Sequence, residues 1–225
     1  ATVEALLGEL GALAPDPFFH LGGDEVRPDC WTASARVQAF MKAKGFTTIG
    51  EVENFYFSKL LGEVVPAALG ASRKVVIYQE VFDNNVTLPA AAVIDVWKAG
   101  RGKPGDVGYT RPIPEEIAAI VKAGHSVVLA NGNDRNWYLN DGWGNSNINP
   151  LWSDVWVLDP ANGTDALLTP AEQSKILGGE ASLWGEEIDG GDLIQRAWPR
   201  AAAFAERLWS PRTVAPRTAA SLNEV

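Results

Sequence analysis

The sequence predicts an α/β fold: a (β/α)8 TIM barrel whose second half, about five strands, is visible in the chain. Three observations carry this. Short runs of β-branched and aromatic residues alternate with helical segments along the chain. The runs are almost continuously apolar, as in parallel strands buried on both faces. Polar and aromatic residues gather just past the ends of those runs, on the side where a barrel of this kind builds its site.

Taken in order, Val3 to Leu13 sets Val3, Leu6, Leu7 and Leu10 at helical spacing, and Gly11 and Pro15 are expected to break it. Pro17-Phe18-Phe19 opens a strand that ends at Gly23. Ser34 to Ala43 reads as a helix with Val37, Phe40 and Met41 on one face and Gly45 as its stop. Glu51 to Leu69 reads as a longer helix with Val52, Phe55, Leu60 and Val64 inward. Lys74 to Tyr78, Ala92 to Trp97 and Ser126 to Ala130 read as strands. Pro114-Glu115-Glu116 opens a helix, with proline early and acids in the first turn, and Gly124 closes it. Asn131 to Pro170 lacks periodicity and reads as a long loop rich in Trp, Asn, Gly and Asp. Ile176 to Trp184 is the fifth strand, and Leu193 to Trp209 a helix with Pro199 in an early turn.

Composition narrows the function classes. Of 225 residues, 19 are basic and 28 acidic, a net charge of −9, which argues against a nucleic-acid partner. No run of about 18 apolar residues occurs, so no membrane span is expected. Cys30 is the single cysteine and His20 and His125 the two histidines, so no internal disulfide and no zinc site are expected. The N-terminus, without Met or a basic apolar leader, reads as a cut or processed end. Asn85-Val86-Thr87 and Asn162-Gly163-Thr164 fit the N-glycosylation pattern, a hint of secretion. Nine Trp supply flat surfaces of the kind that suit sugar rings.

The most informative stretch is His20-Leu21-Gly22-Gly23-Asp24-Glu25-Val26. Two glycines free the backbone from strand alternation, so both carboxylates can enter one pocket and divide acid and base duties. The alternative is a Gly-rich turn with solvated acids. Past the other strand ends stand Gln79 and Glu80, Trp97, Asn131, and Trp184 with Glu186.

With these residues in place, the chain resembles the catalytic barrel of family 20 glycoside hydrolases, the β-N-acetylhexosaminidases, especially the eukaryotic lysosomal and secreted type. The likeness runs over nearly all of the chain. It rests on the His20–Val26 motif, Gln79-Glu80-Val81-Phe82-Asp83, Val96-Trp97-Lys98, Trp137-Tyr138-Leu139, Gly178-Gly179-Glu180-Ala181 with Leu183-Trp184-Gly185-Glu186, and Trp198-Pro199-Arg200 with Ala205-Glu206-Arg207-Leu208-Trp209.

The resemblance implies an exo-acting enzyme that removes terminal non-reducing GlcNAc or GalNAc from glycans. Its mechanism is retaining and substrate-assisted, one of the recognised exceptions to the two-carboxylate scheme. In that scheme the sugar's acetamido oxygen attacks the anomeric carbon, Glu25 is the general acid and then base, Asp24 holds the acetamido N–H, and Tyr138 bonds its carbonyl. Trp97, Trp184 and Tyr78 wall the pocket, Glu186 binds ring hydroxyls, and Asn140 or Asp141 takes the outer hydroxyls. Tyr78 stands where lysosomal relatives usually carry Trp, and Asn140 where many carry Asp. No metal or cofactor is implied.

The family's early strands, its N-terminal accessory domain and its last helix have no counterpart in the chain. The expected partners are therefore a glycan with a terminal N-acetylhexosamine, the upstream half of the same enzyme and, in the parent, a second copy as homodimer. Cys30 matches a family cysteine that pairs with one upstream. The implied location is lysosomal or secreted.

Other readings stay open at this point. One is a non-catalytic sugar-binding subunit or pseudoenzyme; another is a glycosidase using Glu25 and Glu186 as acid and nucleophile. Trp97 and Trp184 could be packing residues, Tyr138 a loop anchor, and Glu186 with Glu187 a solvated pair. Trp198, Arg200, Glu206 and Trp209 read as structural, explained by a helix face and a buried ion pair. His20 reads as a hydrogen-bonded core histidine and His125 as a helix-to-strand loop residue.

Overall fold

Five short strands carry the β-branched and aromatic runs: β1 (Phe18–His20), β2 (Lys74–Tyr78), β3 (Val93–Val96), β4 (Ser126–Leu129) and β5 (Ile176–Gly179). They are seen in a computed structural model that describes residues 2–26, 28–98, 100, 110–130, 137–139, 150–186 and 188–211. The sheet order is β1-β2-β3-β4-β5, so sheet neighbours are sequence neighbours. β1 runs parallel to β2, with Phe18 opposite Lys74 and His20 opposite Val76, and β4 runs parallel to β5. Parallel neighbours need long crossovers, which helices supply. All four β3 residues are buried, and Ile77 on β2 and Val127 on β4 are fully so. Burial of each such Ile or Val contributes about 1.5–3 kcal/mol. The α/β class read from the sequence is the one the chain adopts.

The chain divides into two compact units, Ala1–Ile94 and Asp95–Val225. In the first, α1 (Thr2–Leu13) continues through Gly11, the residue expected to break it. Gly11 is buried, and Leu69 occupies the space its missing Cβ would take. The Arg73 guanidinium finishes the helix, donating to the carbonyls of Ala14 (2.8 Å) and Gly11 (2.9 Å) and satisfying acceptors that a helix end leaves open. Leu7 is buried, whereas Leu6 and Leu10 are exposed. α2 (Pro28–Ala33) was not read from the sequence, since six residues are too few to display a helical period. α3 (Ala35–Lys44) starts at Ser34, whose hydroxyl accepts the Val37 N–H, and stops at left-handed Gly45, as the sequence indicated.

α4 (Ile49–Lys59) opens with a Thr48–Glu51 capping box and passes through a π-helical turn, Leu60–Val64, into α5 (Val65–Leu69). Its buried side is Glu53, Phe57, Leu60, Leu61 and Val65, while Val52, Phe55 and Val64, expected inward, are only half-buried. At about 100° per residue, an i, i+4 row drifts about 40° around an α-helix at each step. The wider π turn, in which the Val65 N–H reaches back to the Leu60 carbonyl, offsets part of that drift. Glu53, Phe57, Leu61 and Val65 thereby stay on one side. α6 (Gln79–Asp83) follows β2 directly.

In Asp95–Val225, α7 (Ile113–Lys122) buries Ile113, Ile117, Ile120 and Val121. Glu116 in its first turn is buried as well, and Arg111 Nη1 pairs with it at 2.9 Å. His125 lies between α7 and β4, as expected, and burial and then Lys175 hold its imidazole below the usual histidine range. The stretch read as a loop contains α8 (Trp152–Val157), which packs against α11 (Arg200–Trp209). α9 (Pro170–Gln173) starts on a Thr169–Glu172 capping box.

The helix expected over Leu193 to Trp209 is two helices, α10 (Leu193–Ala197) and α11, because Pro199 has no N–H to continue the ladder. Trp198 and Trp209 are exposed, not packed. Arg200 donates to the Arg196 carbonyl at 2.6 Å, Glu206 accepts from Trp156 Nε1, and the ion pair of α11 joins Arg207 to Asp159. β5 ends at Gly179, short of Trp184. Gly178 has φ 145° and the β4–β5 register slips there, and a bridge between Tyr138 and Ser182 follows.

Candidate active site

β1 delivers the two acids. Past His20 the chain turns through Gly22 (φ 72°), Gly23 (φ 106°) and Glu25 (φ 50°). The Gly22 carbonyl accepts the Tyr78 N–H at 3.1 Å, which ties the turn to β2. Gly23 is needed for its backbone and for space: a Cβ there would collide with Val81 and come within 3.1 Å of Phe57 Cζ. Asp24 and Glu25 are both exposed. A left-handed non-glycine residue costs roughly 1–3 kcal/mol and persists only where its surroundings hold it. Glu25 is held by its own N–H, which donates to Glu80 Oε1 at 3.2 Å.

Glu80 and Glu53 are buried charged residues, and sequence reading assigned a task to neither. Asn84 Nδ2 donates to Glu53 Oε2 at 2.8 Å. Burial pushes the Glu53 carboxyl above the usual carboxylate range against the pull of the Asn84 hydrogen bond, and the Glu80 carboxylate adds to the rise. The sequence carried no signal for Glu53, because the inward face of its helix was read as Val52, Phe55, Leu60 and Val64, whereas the fold turns Glu53 and Phe57 inward. His20, expected in the core, is exposed. Its Nδ1 accepts the Gly22 N–H at 3.0 Å, and its ring lies 4.6 Å from that of Tyr78, which is half-buried.

Asp95–Val225 holds the other aromatic candidates. Trp97 is half-buried just past β3, with Lys98 Nζ 5.4 Å from its ring centre. Tyr138 is buried, and its ring meets that of Trp184 edge-on at 6.4 Å. The two segments are laced together: Leu139 N–H donates to the Ser182 carbonyl (2.7 Å) and Ser182 N–H to the Trp137 carbonyl (3.1 Å). Trp137, fully buried, anchors them. Its ring packs 5.1 Å from Phe204 and against Gly179, and its Nε1–H donates to the Val155 carbonyl at 3.4 Å. Glu186 is exposed in the turn after Trp184. Asn131, Asn140, Asp141 and Glu187 lie outside the described residues.

The carboxylate pair thus stands exposed just past one strand, and the Tyr138–Trp184 pair lies beside another. The profile described as "Glycosyl hydrolase family 20, catalytic domain" matches residues 1–212, and the chain belongs to that family. It is 39% identical over 202 residues to the beta-hexosaminidase subunit alpha of Rattus norvegicus, covering 90% of this chain and 34% of that protein. It is 38% identical over 208 residues to the beta-hexosaminidase subunit beta of Felis catus, covering 92% of this chain and 34% of that one. Among solved structures, the chitobiase of Flavobacterium johnsoniae superposes with a TM-score of 0.71 at 25% identity, over 99% of this chain and 30% of its own. The chain thus spans about a third of the length of the curated relatives it matches. The resemblance drawn from the motifs is borne out, and so is the part-barrel arrangement of parallel strands. No helix among the described residues is long and apolar enough to cross a membrane.

Proposed function

We propose that the protein carrying this chain is an exo-β-N-acetylhexosaminidase that releases terminal non-reducing GlcNAc or GalNAc by a substrate-assisted, retaining mechanism. The observation that carries the reading is the β1 turn, where Asp24 and Glu25 stand exposed on a backbone held left-handed at Glu25. A backbone held in a sparsely populated conformation at paired carboxylates is a common mark of active sites.

In this reading Glu25 protonates the leaving oxygen while the sugar's 2-acetamido oxygen closes on the anomeric carbon. Glu25 then takes a proton from the water that opens the oxazolinium-like intermediate. Asp24 accepts the acetamido N–H and offsets the growing positive charge. Tyr138 donates to the acetamido carbonyl oxygen. Its burial and its edge contact with Trp184 suit a group that must not wander. Trp97, Trp184 and Tyr78 offer ring faces to the sugar and its acetamido methyl. Glu186 takes ring hydroxyls, and Asn140 or Asp141 the outer ones. The chain supplies the C-terminal part of the barrel, the upstream strands complete it, and the parent works as a lysosomal or secreted glycoprotein that pairs with a second copy.

The test is fluorophore release from a β-N-acetylglucosaminide by the full-length protein and by Glu25→Gln, with a β-glucoside as control. Loss of about 100-fold or more in the variant, with the β-glucoside left intact, supports the reading. Equal cleavage of both glycosides removes the acetamido group from the mechanism. Inactivity of the wild type makes the chain a sugar-binding subunit instead.

A further inference from the structure

Beneath the β1 turn, α4 and α6 meet through polar groups that the mechanism leaves unused. Glu80 is 7% exposed and Glu53 4% exposed, both in the unit that holds Glu25. Glu80 takes the Glu25 N–H, Asn84 binds Glu53 through its side chain, and the Asn84 backbone N–H donates to the Glu80 carbonyl at 2.9 Å. The second oxygen of Glu53, Oε1, is buried without a hydrogen-bond partner among the described residues. The same two helices wedge Gly23: Val81 follows Glu80, and Phe57 stands one turn after Glu53.

We propose that Glu53 and Glu80 are positioning residues for Glu25: Asn84 ties the two together, and Glu80 holds the Glu25 N–H and so fixes the left-handed backbone that aims the Glu25 carboxyl. The inference rests on the reading of Glu25 as general acid. Burial and then the Glu80 carboxylate favour the neutral form of Glu53, and the Asn84 hydrogen bond opposes it. Neither residue touches substrate; they act through the backbone of one that does.

The experiment measures kcat and KM for an aryl β-N-acetylglucosaminide in the full-length protein, with thermal melting of each variant. Glu80→Ala and Glu80→Met, which cannot accept the Glu25 N–H, are expected to lower kcat about 10–100-fold with KM nearly unchanged. Glu80→Gln keeps an acceptor oxygen and is expected to recover most of the loss. Glu53→Leu is expected to fall with Glu80→Met, and Glu53→Gln to recover in the same way. A folded Glu80→Met with wild-type kcat, or a Glu80→Gln as impaired as Glu80→Met, overturns the proposal. Glu25→Gln separates the two failures: if it stays fully active, the functional reading falls and this one with it. If it is dead beside an unimpaired Glu80→Met, only the positioning role falls.

Discussion

At Gly22–Glu25 the chain holds two exposed acids with backbone devices: three positive φ angles, a carbonyl tied to β2 and an N–H tied to Glu80. At Trp137–Leu139 it holds a buried tyrosine with packing, through a fully buried indole wedged between Phe204 and Gly179. Both regions need a glycine where another residue presses close, Gly23 under Val81 and Gly179 under Trp137. The difference lies in what can be varied. A backbone-held acid can keep its place while its side chain stays free to exchange protons, whereas a packed ring is fixed along with its neighbours.

The comparison can be broken at four points. Trp137→Ala should have the largest effect on stability, about 3–5 kcal/mol in urea unfolding of the full-length protein, because a fully buried ring leaves a cavity. Gly23→Ala should cost roughly 2–4 kcal/mol through a disfavoured backbone and collision with Val81, and should depress kcat far more than its stability loss accounts for. A Gly23→Ala variant with normal turnover would end the claim that the turn is held by its backbone. Thr48→Ala, which removes the capping box of α4, should cost about 1 kcal/mol and leave kcat alone.

The smallest effect is a pH dependence. The Glu53 carboxyl is raised in the folded chain, so the native state binds a proton more readily than the unfolded one, and stability falls as pH climbs from the ordinary value of 4.5 toward the raised one. Glu53→Gln lacks that proton. Its melting temperature relative to wild type should therefore rise over the same span and level off above it; a constant difference would deny that Glu53 is raised.

Much of this was legible in the sequence where a local rule acts alone. The limits of β2 are as read, since Gly70 and Ser72 precede it and Val75 to Tyr78 is a run of β-branched and aromatic residues. The Ser34 start and Gly45 stop of α3 follow from capping chemistry. The Gly-Gly-Asp-Glu turn also announced itself, because positive φ needs glycine and paired acids are conspicuous. What could not be read depends on distant partners. α8 takes its support from α11, far along the chain, and Arg207 finds Asp159 rather than a neighbour on its own helix. Glu53 looked like one more charge on a helix; only the fold shows that it faces inward, under the turn.

The π turn at Leu60–Val64 has a consequence for how this chain tolerates insertion and deletion. Removing one residue there would let the segment close into plain α-helix with little net rotation, because a π turn holds about one residue more than an α turn. Phe57 would stay against Gly23 and Glu53 beside Asn84. A one-codon deletion within α4 itself, between Glu53 and Phe57, would instead turn Glu53 about 100° away from the Gly23 side and disable the acid without altering any residue that handles sugar.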